Sequence, residues 1–109
     1  MPIKYYNKLV RDKIPLIIEK TGDTFETEIL GLKEYEGKLY EKLKEELEEF
    51  YSATGDEVVG EIADVLEVFY TIAETKGITI EEIEKVRIQK QEERGGFKER
   101  ILLKHVVEK

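Results

Sequence analysis

Asp56-Glu-Val-Val-Gly-Glu61-Ile-Ala-Asp64-Val-Leu-Glu-Val-Phe-Tyr70-Thr-Ile-Ala-Glu-Thr75 is the stretch that decides how this chain folds. Val58, Ile62, Val65, Leu66, Phe69, Ile72 and Ala73 cover most of a helix's circumference. The spacing predicts a helix deep in a core, capped by Asp56 and closed by Gly77. Glu61 and Asp64 stand in this apolar setting. At about 100° per residue they fall roughly 60° apart on one face, flanked by Val65, Val68 and Ile72. Burying an unpaired carboxylate costs several kcal/mol, so two on one face require cations, a metal ion or raised pKa values.

The preceding segment, residues 33–54, repeats Leu39, Leu43, Leu47 and Phe50 at spacings of four, four and three, which is a helical stripe. Glu46 and Glu49 sit at its edge. If the two helices form an antiparallel hairpin through Thr54-Gly55-Asp56, this pair faces Glu61 and Asp64, and four carboxylates converge. Outside the hairpin, Asp12 and Pro15 open a short helix carrying Ile14, Ile17 and Ile18 and ending near Gly22. Thr79 and Glu82 form a capping box that starts a fourth helix, which runs to about Arg94 before Gly95-Gly96. Residues 25–30 alternate apolar with polar, and residues 97–107 carry two further apolar clusters. A minor two-stranded β element pairing them is expected at most. The fold class is therefore mostly α: a helical bundle around an acidic antiparallel hairpin, in a single domain of residues 1–109.

Bulk composition agrees. The 109 residues suit one core, and no linker or repeat divides them. With no cysteine there is no disulfide framework and no thiolate metal site. The opening Met1-Pro-Ile-Lys-Tyr-Tyr6 lacks the apolar stretch of a signal peptide, and no apolar run is long enough to cross a bilayer, so a cytoplasmic location is the expectation. A net charge of −7 opposes broad contact with nucleic acid phosphates, and neither a nucleic acid polymer nor a membrane is expected as a partner. Anionic ligands then need a local basic cluster or a metal ion.

Dense carboxylates suit a hard divalent cation, and magnesium in particular bridges protein oxygens to phosphates, with manganese as a substitute. A di-iron helical bundle needs Glu-x-x-His on two helices, and the sole histidine is His105, so iron and zinc are disfavoured. In a chain with 25 acidic residues, Glu-x-x-Glu on a solvated face is common by chance. Glu-x-x-Asp inside an apolar helix is rarer, and the two pairs on consecutive helices favour a metal site over solvation.

These residues resemble the MazG-like all-α nucleoside triphosphate pyrophosphohydrolases. The signature of that superfamily, Glu-Glu-x-x-Glu followed by Glu-x-x-Asp, is matched by Glu45-Glu46-Leu-Glu-Glu49 and Glu61-Ile-Ala-Asp64. Tyr6-Asn-Lys-Leu-Val-Arg-Asp-Lys-Ile-Pro15 and Arg94-Gly-Gly-Phe97 look like a subgroup of small house-cleaning enzymes, so the resemblance spans nearly the whole chain. It implies magnesium ligation by Glu46, Glu49, Glu61 and Asp64. Glu45 and Glu46 are the carboxylates expected to act on the attacking water. The implied reaction splits a nucleoside triphosphate between its α and β phosphates into monophosphate and pyrophosphate. Lys8, Arg11, Lys13, Lys90, Arg94 and Lys98, with Arg100 beside them, are the candidates for holding phosphate. Phosphoribosyl-ATP pyrophosphatase of histidine synthesis is the nearest rival function, against which the N-terminal block argues mildly. A non-catalytic helical interaction module and a nucleotide-sensing regulator are the rivals from other classes. The base-stacking aromatic is left open among Tyr5, Tyr6, Tyr35, Tyr40 and Tyr51. The apolar surface of two long helices with short partners implies a homodimer or higher homo-oligomer.

Overall fold

The computed structural model describes residues 2–109. Four helices make up its regular structure: α1 (Ile14–Lys20), α2 (Leu32–Ser52), α3 (Glu57–Thr75) and α4 (Ile80–Arg94). The chain divides into two compact units, one ending at Gly77 and the other Ile78–Lys109. Among the described residues no helix is long and apolar enough to cross a membrane.

In the first unit α2 packs along α3. Ala53–Asp56 connect them, and Gly55 holds φ +57, a left-handed conformation that strains any residue with a Cβ. Leu39 near the start of α2 clusters with Val68 and Ile72 late in α3, while Glu46 further along α2 meets Glu61 and Asp64 earlier in α3. The two helices are therefore antiparallel, as the short Thr54-Gly55-Asp56 connection predicts. Leu9, Tyr35 and Leu43 complete the cluster, so the irregular N-terminal segment is pinned to the hairpin through Leu9. Lys38 donates to the Asn7 carbonyl at 3.3 Å and ties the same segment to α2. Asn7 takes φ 48, a left-handed kink that asparagine tolerates better than most residues.

Four details differ from the sequence expectation. Asp12 does not cap α1; Lys13 occupies that position, and the amide of Ile14 is already satisfied by the Arg11 carbonyl at 3.0 Å. Asp56 occupies the N-cap of α3 but makes no side-chain bond, because a helical turn leads in and the amides of Glu57 and Val58 donate to Thr54 and Gly55. α3 is not buried on all sides: Val68, Ile72 and Ala73 are buried, whereas Val59, Ile62, Leu66 and Phe69 are exposed. Neither 25–30 nor 97–107 forms a strand; Ile29 and Phe97 are 99% and 98% exposed, and each segment lacks a pairing partner to turn alternation into a ladder.

In the second unit α4 starts as the sequence predicts. The Thr79 hydroxyl oxygen accepts from the Glu82 amide at 3.1 Å and the hydroxyl donates to the Glu82 carboxylate at 3.2 Å. The helix ends at Gly95, φ +82, whose amide donates to the Gln91 carbonyl.

Candidate functional site

Three carboxylates meet between the hairpin helices. Glu46 from α2 and Glu61 and Asp64 from α3 each place one oxygen within 4.8 Å of the others. Glu46 is 7% exposed, and the Oε2 atoms of Glu46 and Glu61 are buried with no hydrogen-bond partner. Buried carboxylate oxygens are normally paired, and two unpaired ones within one cluster are a donor pattern that a bound cation would satisfy. The donors are all hard oxygens, the set suited to magnesium or manganese. Glu49 is exposed and stands outside this triad, although its charge is felt at Glu46.

Electrostatics separate the two neighbouring glutamates. Burial pushes the Glu46 carboxyl above its usual range, and the charges of Glu49 and Asp64 add to this against the pull of Lys42. Burial also pushes Glu45 upward, but the Lys8 hydrogen bond and the nearby Lys42 overcome it and hold Glu45 below the usual range. Lys8 donates to Glu45 at 3.1 Å, and that bond raises the Lys8 ammonium, with burial opposing and the charges of Glu45, Glu49 and Glu46 reinforcing it. Arg11 donates to Asp64 at 2.7 Å and reaches Glu67 at 4.0 Å. Lys42 lies 3.6 Å from Glu45 and 3.4 Å from Glu46.

The structure brings Lys8 and Arg11 of the N-terminal block to the acids. Lys13 occupies the N-cap position of α1 and makes no side-chain capping bond. Lys90, Arg94 and Lys98 belong to the second unit, where all three are exposed. Sequence reasoning missed Lys42, although its i,i+3 and i,i+4 spacing to Glu45 and Glu46 carries the signal. A cavity of about 410 Å3 opens beside the triad, reaching Glu46, Asp64, Lys8, Arg11 and Lys42. A smaller one of about 240 Å3 adjoins Lys8, Lys42 and Glu45.

The fold is thus an all-α hairpin with an acidic centre faced by lysine and arginine. The phosphoribosyl-ATP pyrophosphohydrolase family model matches residues 4–91. The chain belongs to that family, and with it to the MazG-like all-α nucleoside triphosphate pyrophosphohydrolase superfamily, whose members act on the pyrophosphate bond of a nucleotide. No curated protein and no solved structure gives a significant match.

Proposed function

We propose that this chain hydrolyses a nucleoside triphosphate between its α and β phosphates to monophosphate and pyrophosphate, with magnesium, or manganese in its place, held by Glu46, Glu61 and Asp64. The observation that carries the proposal is the pair of buried, unpartnered oxygens on Glu46 and Glu61 within a three-carboxylate cluster. Glu49, three residues after Glu46, is the candidate for a fourth ligand. Bound there, the cation would offset phosphate charge and make a nearby water more acidic.

The chain's own residues account for the other roles. A water oxygen forms a bond to phosphorus as the bridging bond between the α and β phosphates breaks, and pyrophosphate leaves with the electron pair. The water's proton passes to a carboxylate beside it, Glu45 or Glu46. Glu45, held anionic, positions Lys8 and Lys42 for the leaving group. Lys8 and Arg11 must exchange carboxylate for phosphate. Their pairs are partly exposed and each is worth no more than about 1 kcal/mol, so the exchange is easy. Lys13 extends the same basic segment. Residues 1–109 are proposed to work as one domain, since the family match crosses the boundary at Gly77. The proposed setting is the cytoplasm, consistent with a chain free of cysteine.

A second reading, hydrolysis of phosphoribosyl-ATP, is supported equally by the family match. One panel separates the readings: pyrophosphate release with magnesium from common, deaminated and oxidised triphosphates and from phosphoribosyl-ATP. Turnover of the triphosphates, with monophosphate and pyrophosphate in equal amounts, is the expected result. Turnover of phosphoribosyl-ATP alone would select the second reading. Binding without release of pyrophosphate would leave a sensor, and a panel without turnover would sink the enzyme.

A further inference from the structure

The cavity beside the triad is lined by two chemically different sets of residues. Glu46 and Asp64 with Lys8, Arg11 and Lys42 form the charged set. The other set is Tyr6, Val10, Ile14 and Ile18, the last three at intervals of four through the N-terminal segment and α1. A polyphosphate chain uses the charged set and gains nothing from the apolar one. A flat aromatic group attached to that polyphosphate would cover it and release the water against it. The volume, about 410 Å3, falls in the range of small-molecule sites.

The structure also sorts the tyrosines that the sequence leaves equivalent. Tyr35 packs against the core cluster. Tyr40 donates its hydroxyl to Glu36 and lies beneath Lys76. Tyr51 rests on Phe50. Of the six tyrosines, Tyr6 alone lines the two cavities. It is 60% exposed, and the Nζ atoms of Lys4 and Lys8 lie 5.1 and 5.7 Å from its ring centre, which shows an accessible, electron-rich face. The Lys8 Nζ stands 5.7 Å from the ring centre and 3.1 Å from Glu45, and one cavity runs from the ring to Glu46 and Asp64.

We propose that Tyr6, backed by Val10, Ile14 and Ile18, is the nucleobase subsite: Tyr6 stacks on the base while Lys8, Arg11 and Lys42 hold the phosphates. This assignment rests on the reading of the acidic cluster as a metal and phosphate site. Apart from the Tyr6 hydroxyl, the uncharged groups of the lining offer stacking and shape and no hydrogen-bonding side chain. The base is therefore recognised by its π face, and selectivity among bases is weak, with purines ahead of pyrimidines.

The test is calorimetric titration of the magnesium-loaded full chain with α,β-methylene-ATP and, separately, with inorganic tripolyphosphate. The wild type and Tyr6→Phe are expected to bind the nucleotide analogue about tenfold or more tightly than tripolyphosphate. Tyr6→Ala is expected to keep its affinity for tripolyphosphate and lose about tenfold for the analogue. Val10→Ser should move the analogue in the same direction by less. Equal losses on both ligands, or none on either, would overturn the subsite. A wild type that shows the preference yet releases no pyrophosphate from ATP would sink the hydrolase reading and leave the subsite standing. A wild type that binds neither ligand would remove both.

Discussion

Glu46 is a carboxylate that the fold holds against its own preference. Its folded pKa is raised by burial first and then by Glu49, with Asp64 adding to it, so the folded chain binds that proton more tightly than the unfolded one. Unfolding free energy therefore falls as pH rises from the ordinary 4.5 through the raised value, and the full penalty applies above it. Glu45 works in the opposite sense. Its lowered pKa contributes stability above 4.5 that is lost as pH falls through the folded value. In chelator, Glu46→Gln should then melt at or above the wild-type temperature at pH 7.5 and flatten the pH dependence above 4.5. Melting curves across pH check this, and a variant less stable at every pH would refute it. Magnesium should raise the wild-type melting temperature, by about 2.7 kcal/mol of stability at a hundredfold excess over Kd. Glu61→Gln and Asp64→Asn should each remove that gain and lower turnover about a hundredfold or more. Glu61 and Asp64 were legible in the sequence because charge stands out in an apolar helix, and Glu46 because the leucine repeat places it at the stripe's edge. Which of the tyrosines lines the cavity was not legible: Tyr6 lies in an irregular segment, and without a period no residue there has a face that can be read.

Helix boundaries were readable to within a few residues because the apolar repeats of α2 and α3 have the helical period over 21 and 19 residues. The caps were harder. Thr79 caps because an extended N-cap conformation, φ −91 and ψ 159, points its hydroxyl back at the Glu82 amide. Asp12 and Asp56 are equally good capping residue types, but turns that already satisfy the first amides leave their side chains without a capping bond. Replacing Thr79 by alanine should cost α4 about 1 kcal/mol, read as faster hydrogen exchange of the amides in its first turn. Asp56→Ala should leave α3 exchange nearly unchanged, since no side-chain bond is lost. The strands failed at a different step. Alternation is a property of one segment, whereas a strand is a property of two, and neither 25–30 nor 97–107 finds a partner. The hairpin itself depends on a small contact: Leu39 against Val68 and Ile72. Leu39→Ala should destabilise the first unit by about 2 to 5 kcal/mol in denaturant titration, a large fraction of what a chain of this size possesses.

At the scale of the whole molecule, the apolar surface of α3 exceeds what α2 covers. Val68, Ile72, Glu61 and Asp64 define the side turned to α2. Val59, Ile62, Leu66 and Phe69 follow at spacings of three, four and three, on a stripe centred roughly 135° round the helix from that side. Phe69 is 47% exposed, and the other three are exposed with it. Scattered apolar residues on a surface need no explanation, but a continuous stripe at helical spacing is the form of a helix-packing seam. The sequence reads this helix as core on all sides, and we propose that a second copy covers the stripe with its own, a self-complementary arrangement about a twofold axis. The proposed homo-oligomer follows from that match, with a dimer as its smallest form. Sedimentation equilibrium should give at least twice the chain's 12.8 kDa. Leu66→Glu places a charge in the middle of the stripe, away from the acidic triad, and should shift the mass to that of one chain. A wild type that sediments as a single chain, or a Leu66→Glu variant that keeps the larger mass, would show that the stripe is not the seam.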